Sequence, residues 1–398
     1  MLADMSPPAS RSARRLDGLG TTVFAEMSAL AEATGAVNLG QGFPDTDGPP
    51  EVAEAAIAAI RAGVNQYTPG AGILPLREAI ARHQERFYGL RFDPEHEVLV
   101  TAGATEAIAA AVLALVDPGD EVVALEPYFD SYAATIAMAG AVRVPVTLRT
   151  PDFRLDVVAL RAAVTARTRL LLLNSPHTPT GTVLTRAELE AVAAVAIEHD
   201  LVVVTDEVYE HLVFRDPGAG PHIPLATLPG MRERTVTISS AGKTFSFTGW
   251  KIGWVCAPPE LLTAVRTAKQ FLTYVNGAPF QPAIAVGLDL PDAFYDGIRA
   301  DLQQRRDLLC DGLESLGLTV FRPAGTYFVT TDIRAWGHED GLAFCRDLPR
   351  RAGVVAIPEV VFHDDVTAGL PLVRWTFCKQ PAVLEEALDR LAGIAPSA

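Results

Sequence analysis

The chain has 398 residues, enough for two compact units, because a single hydrophobic core stops growing at smaller sizes. Hydrophobic residues at 49% and charged residues at 20% exclude an extended disordered protein, and a formal charge of −15 without a Lys/Arg cluster excludes a nucleic-acid surface. No apolar run approaches the roughly 20 residues that a membrane span requires, so a cytoplasmic protein acting on small molecules is expected.

The first residues, MLADMSPPASRSARR, are basic and rich in Pro, Ser and Ala, and they lack the apolar centre of a secretory signal. Residues 1–19 are expected to form a flexible tail. Between residues 97 and 257 short apolar runs alternate with helical patterns, the sequence form of a mostly parallel sheet covered by helices. The predicted strands are 97–101, 121–125, 141–146, 169–174, 201–205, 235–239 and 252–257. Helices are predicted between them at 104–116, 129–139, 156–164 and 186–198, where Ala and Leu recur at helical spacing, and the Pro/Gly punctuation at 117–120 and 176–181 marks turns. After a helix at 280–289 the pattern changes to a long amphipathic helix at 292–316 and strands at 327–331, 353–357 and 372–377. The expected architecture is an α/β large domain over 46–289, with a seven-stranded doubly wound sheet, and a smaller α+β domain from 20–45 and 290–398.

The cysteines at 256, 310, 345 and 378 lie far apart with no CxxC spacing, so buried thiols are expected and no metal site. Lysine is scarcer than the charge suggests: of 33 basic residues only Lys243, Lys251, Lys269 and Lys379 are lysines. Any search for an imine-forming amine is confined to these four.

In an open α/β sheet ligands sit at the carboxyl ends of the strands, so the residues that follow each apolar run carry the most information. After 97–101 comes Ala102-Gly103-Ala104-Thr105 opening a helix, where free N–H groups can cradle a phosphate or simply begin a capped helix. After 201–205 comes Asp206-Glu207-Val208-Tyr209, which offers a carboxylate for a pyridinium nitrogen and a phenol for a ring oxygen, although Asp206 also suits an ordinary turn. After 235–239 comes Ser240-Ala241-Gly242-Lys243-Thr244, with Lys251 eight residues beyond the first lysine. An amine at a strand end can condense with an aldehyde, and burial lowers its pKa toward nucleophilicity. The rival SxxK reading of residues 240–243, a serine acyl-enzyme, lacks the accompanying SDN and KTG strings.

Five strings occur in one order: Asn38-Leu39-Gly40-Gln41-Gly42-Phe43-Pro44-Asp45, Asn65-Gln66-Tyr67-Thr68, Glu126-Pro127-Tyr128-Phe129, Asp206-Glu207-Val208-Tyr209 and Ser240-Ala241-Gly242-Lys243-Thr244-Phe245-Ser246. With them the chain resembles, over residues 20–392, the fold type I, class I/II aminotransferases that use pyridoxal 5′-phosphate (PLP). Residues 277–283 (GAPFQPA) and 373–379 (VRWTFCK) bring it nearest the kynurenine and glutamine transaminases and the N-succinyldiaminopimelate aminotransferases. The resemblance implies Lys243 as Schiff base and proton carrier, Phe129 stacked on the pyridine ring, Asp206 on its nitrogen and Tyr209 on its phenolic oxygen. It implies Gly103, Ala104, Thr105, Ser240 and Lys251 around the phosphate, and Tyr67 reaching it from the second subunit of a homodimer with shared sites. Arg374, with Gln41 and the Gly42 backbone, is implied to bind the substrate carboxylate, in a bidentate pair that a lysine would not reproduce.

One position departs from the family. Residues 176–181 read Pro-His-Thr-Pro-Thr-Gly, so Thr178 stands where the family places an Asn that donates to the phenolic oxygen. A shorter hydroxyl is expected to reach only through water, to raise the pKa of the Lys243 imine and to weaken cofactor binding, each by about 1 to 2 kcal/mol.

The reaction expected is amino transfer from an L-amino acid of aromatic, kynurenine, glutamine, methionine or N-succinyldiaminopimelate type to a 2-oxo acid such as 2-oxoglutarate, with ping-pong kinetics. The loop at 274–280 contains no arginine, which favours neutral or flexible side chains over strict aspartate specificity. A cysteine-conjugate β-lyase shares every cofactor contact and stands as the alternative, as does a homologue with weakened turnover. A PLP-sensing regulator would need a DNA-binding module ahead of residue 20 and is not expected.

Overall fold

The computed structural model describes residues 13–20, 22–217 and 219–396. Residues 1–12 of the expected tail lie outside the described residues; the remainder is exposed and holds a 3₁₀ turn at Arg14–Leu16.

The seven predicted strands all form, within two residues of their expected ends: β1 Val98–Thr101, β2 Glu121–Glu126, β3 Val142–Thr147, β4 Thr168–Asn174, β5 Val202–Asp206, β6 Thr235–Ser240 and β7 Gly253–Cys256. They make one sheet in the order β1-β7-β6-β5-β4-β2-β3, parallel except for β7, which runs against both neighbours. Strands β1, β2, β6 and β7 are buried at every position because helices cover both faces, which is why they read as unbroken apolar runs and not as alternation. One face packs Ala107, Ile108 and Val112 of the helix Gly103–Leu115 against Val204 and Val236; the other packs Leu189, Val192 and Ala196 of the helix Arg186–Glu198 against Leu171 and Val203. That second helix starts in a capping box between Thr185 and Glu188.

A four-stranded antiparallel sheet follows, β10-β11-β9-β8, from β8 Thr319–Phe321, β9 Phe328–Asp332, β10 Ile357–Pro358 and β11 Leu372–Thr376. The single strand expected at 353–357 divides instead: Val354–Val355 pairs with Val37–Asn38, and the chain then changes sheets to form β10. Pro358, with no N–H to donate, suits the edge position that β10 takes. The long helix Asp292–Ser315 packs Leu309 and Leu313 into a core shared with Trp375, Phe377 and the segment Val208, Tyr209, Leu212 and Phe214, so the chain after β5 links both sheets. All four cysteines are buried and free. Among the described residues no helix is long and apolar enough to cross a membrane.

Candidate active site

Since β1 and β6 both run against β7, they point the same way as β2, β4 and β5. The carboxyl ends of these five strands therefore open on one side, and the residues that follow them line one cavity of about 280 Å³. Thirteen of the fourteen residues singled out from the sequence are there: Gln41, Gly42, Gly103, Ala104, Thr105, Phe129, Thr178, Asp206, Tyr209, Ser240, Lys243, Lys251 and Arg374. Tyr67 is the exception, 83% exposed and edge-on to Tyr274 at 5.6 Å between ring centres.

Lys243 lies in the single helical turn Ala241–Thr244 after β6. Its ammonium donates to the Tyr327 hydroxyl at 2.6 Å and to the Gly42 carbonyl at 3.2 Å, and Tyr327 in turn donates to the same carbonyl at 2.5 Å. Burial lowers its pKa to about 8, against the pull of nearby Cys378 and Asp206, so a useful fraction is free amine near neutrality. Gly42 is required there, because a Cβ would stand 2.4 Å from the Phe328 ring.

Asp206 ends β5, paired with Asn174 of β4 and Ile238 of β6. Its Oδ2 accepts from the Tyr132 hydroxyl at 2.6 Å and its Oδ1 from the Val208 N–H at 3.3 Å. Burial lifts the carboxyl to about 6, while those two donors hold it down; a cation beside it would complete the pairing that buried charge demands.

In the same cavity, donors converge. Gly103 adopts φ +75°, and a Cβ there would sit 3.1 Å from Lys251 Nζ, so the bare backbone lets the ammonium close on the start of the helix Gly103–Leu115. Lys251 itself is held at φ 54°, a left-handed conformation that costs a side chain about 1 kcal/mol or more, and its carbonyl accepts from Asn276 Nδ2 at 2.8 Å. The Lys251 ammonium, the helix N–H groups and the hydroxyls of Thr105 and Ser240 thus share a wall suited to an anion. Phe129 supplies an aromatic face to the cavity, and Thr178, whose N–H donates to Asn174 Oδ1 at 2.6 Å, sets its hydroxyl beside Tyr209.

Arg374 is 2% exposed in the middle of β11, opposite Thr330 of β9 and Ile357 of β10. Nη2 donates to the Gly40 carbonyl at 2.8 Å, the guanidinium lies 4.0 Å from the Phe328 ring centre, and Nε has no partner. Burial lowers its pKa to about 10, which still leaves it charged at neutral pH. A buried, under-partnered guanidinium is a receptor for a carboxylate.

The sequence family Aminotransferase class I and II matches residues 34–391. The chain is a class I and II aminotransferase. It is 56% identical, over 96% of its length and 98% of the relative's, to the probable N-succinyldiaminopimelate aminotransferase DapC of Mycobacterium tuberculosis, and superposes on the solved N-succinyldiaminopimelate aminotransferase of that organism with a TM-score of 0.94, over 96% of this chain and 100% of that one. It is 41% identical to the methionine aminotransferase of Escherichia coli, over 95% of its length and 97% of the relative's, and 36% identical to mouse kynurenine–oxoglutarate transaminase 3, over 95% and 89%. The aminotransferase fold is type I, and the activity is transfer of an amino group between an amino acid and a 2-oxo acid. These relatives do not favour the β-lyase alternative.

Three residues of this aminotransferase site escape a strand-end reading. Tyr132, one helical turn beyond Phe129, lies on a helix face, and Phe24 and Phe328, which wall the Arg374 end, come from elements distant in sequence. Tyr327 is a fourth, reached because the residue just before β9 meets Lys243. Tyr327→Phe removes an acceptor from the ammonium, so the Lys243 pKa is expected to fall below 8, and loss of two hydrogen bonds is expected to cost about 1 to 2 kcal/mol of stability. The pH midpoint of Lys243 reaction with an aldehyde reagent checks this; an unchanged midpoint contradicts it.

Proposed function

We propose that this aminotransferase is a PLP enzyme that takes the amino group of N-succinyldiaminopimelate, with glutamate and 2-oxoglutarate as the second pair, working by a ping-pong mechanism as a cytoplasmic homodimer. The observation that carries the reading is the set of groups gathered in one cavity: a helix start with Lys251, Thr105 and Ser240, the buried carboxylate of Asp206, and the Lys243 amine with its depressed pKa, which is close enough to feel the charge of both Asp206 and Lys251. PLP matches that set group for group, since its phosphate, ring nitrogen and aldehyde need those three partners.

In this reading Lys243 holds the cofactor covalently. Ala104, Thr105, Ser240 and Lys251, with the Gly103 backbone, would hold the phosphate; Phe129 would offer its face to the ring, and the Tyr209 and Thr178 hydroxyls, which lie beside each other, would serve its phenolic oxygen. The bound group supplies an electron sink that makes the substrate Cα–H acidic. Arg374 binds the substrate α-carboxylate through its free donors, with Gln41 and Gly42 beside it, and so fixes which Cα bond faces Lys243. Lys243 then moves the proton at Cα as general base and acid, a role for which an amine near pKa 8 is matched to neutral pH. Asp206 stays ionised when a protonated ring nitrogen pairs with it, aided by Tyr132. The exposed Tyr67 and Tyr274 suit the face where a second subunit completes the phosphate wall.

The substrate assignment draws on the 56% identical relative and on the absence of arginine from 274–280. A panel of N-succinyldiaminopimelate, methionine and kynurenine, each with 2-oxoglutarate, tests it. N-succinyldiaminopimelate is expected to exceed the others by about tenfold or more in kcat/KM. A higher value for methionine or kynurenine rejects the substrate and leaves the cofactor chemistry standing.

A further inference from the structure

The segment after β5 meets the helix Leu74–Tyr88 in a second polar cluster that amino transfer does not use. His83 on that helix is 2% exposed, His211 8% and Glu210 5%. One nitrogen of each imidazole and one oxygen of the carboxylate lie within 4.8 Å of one another. The two Nε2 atoms are 2.7 Å apart; Glu210 Oε1 accepts from the Ser239 hydroxyl at 2.5 Å, the buried Tyr88 hydroxyl also faces this carboxylate, and His83 Nδ1 is buried with no partner. Aromatic rings enclose the group, Tyr295 at 4.4 Å and Phe87 at 4.7 Å from the His211 ring centre. A cavity of about 580 Å³ is lined in part by Glu210 and His211.

We propose that His83, His211 and Glu210 bind one divalent transition cation of the zinc class, with two imidazole nitrogens and one carboxylate oxygen as protein ligands and a water from the adjoining cavity as the fourth. The residue types are those such cations select, and three protein ligands plus an open position is a recurrent arrangement. Two nitrogens on a tetrahedral cation with bonds of about 2.0 to 2.1 Å stand about 3.3 Å apart, so the imidazoles must part by about 0.6 Å. In the bound form both rings are Nδ1–H tautomers with their Nε2 lone pairs on the cation. Burial already keeps both imidazoles neutral, His83 down to about 3 and His211 well below its ordinary range, and raises Glu210 to about 7, so a cation has one partly held proton to displace. Ser239 orients the carboxylate from outside. The cation would tie the helix Leu74–Tyr88 to the segment that carries Asp206 and Tyr209 into the active site.

The test is cation binding by the whole untagged chain, stripped with chelator, dialysed and offered Zn²⁺ or Co²⁺. About one equivalent is expected to survive gel filtration, with visible ligand-field absorption for Co²⁺ and a rise in Tm, and His211→Gln or Glu210→Gln is expected to weaken binding by about 100-fold. Retention of under about a tenth of an equivalent by the wild-type chain overturns the proposal without recourse to any variant. So does a folded His211→Gln chain that holds the cation as tightly as the wild type.

Discussion

Lys243→Ala is expected to lower kcat by about 10⁴-fold or more, because in the proposed function one amine carries both the covalent bond to the cofactor and the proton at Cα. The fold should survive: Lys243 lies in a four-residue turn and its Nζ hydrogen bonds go to Tyr327 and Gly42. PLP is still expected to associate with the variant through the phosphate wall and Asp206, but borohydride should no longer fix it to the chain. Single-turnover kinetics and intact mass after reduction check both parts. A variant that keeps more than a hundredth of wild-type kcat contradicts the assignment.

Arg374 carries the second large effect. Arg374→Lys retains a charge but loses the planar fork, and Arg374→Ala removes the cation from a site walled by Phe24, Phe328 and Phe362. For either variant kcat/KM is expected to fall by about 10²- to 10³-fold, equivalent to about 3 to 4 kcal/mol of lost carboxylate binding, with most of the change in KM. Substrate analogues that lack the α-carboxylate should be turned over no worse by the variants than by the wild type. Equal losses with and without the carboxylate would show that Arg374 serves packing instead.

The parallel sheet was legible because strands buried on both faces read as unbroken apolar runs, and the strand tips then named Asp206, Ser240 and Lys243 as neighbours in space. Scarcity of lysine narrowed the amine to four candidates, of which Lys243 and Lys251 line the cavity. Tyr132 and Tyr327 stayed hidden for a physical reason: each reaches the site by packing of a helix or strand whose register local pattern does not report. The division of 353–357 between two sheets was hidden likewise, since two residues of strand leave no periodicity to read. His83 and His211 are 128 residues apart, so no ligand spacing joined them. Thr178 was legible as a departure, and it does line the cavity, beside Tyr209.

Peptide mapping after borohydride reduction of the PLP-loaded chain tests the central claim most directly. The reduced pyridoxyl adduct is predicted on the peptide that contains Lys243, at close to one per chain. An adduct on Lys251, Lys269 or Lys379 in its place, or a chain that takes up no PLP, would contradict it.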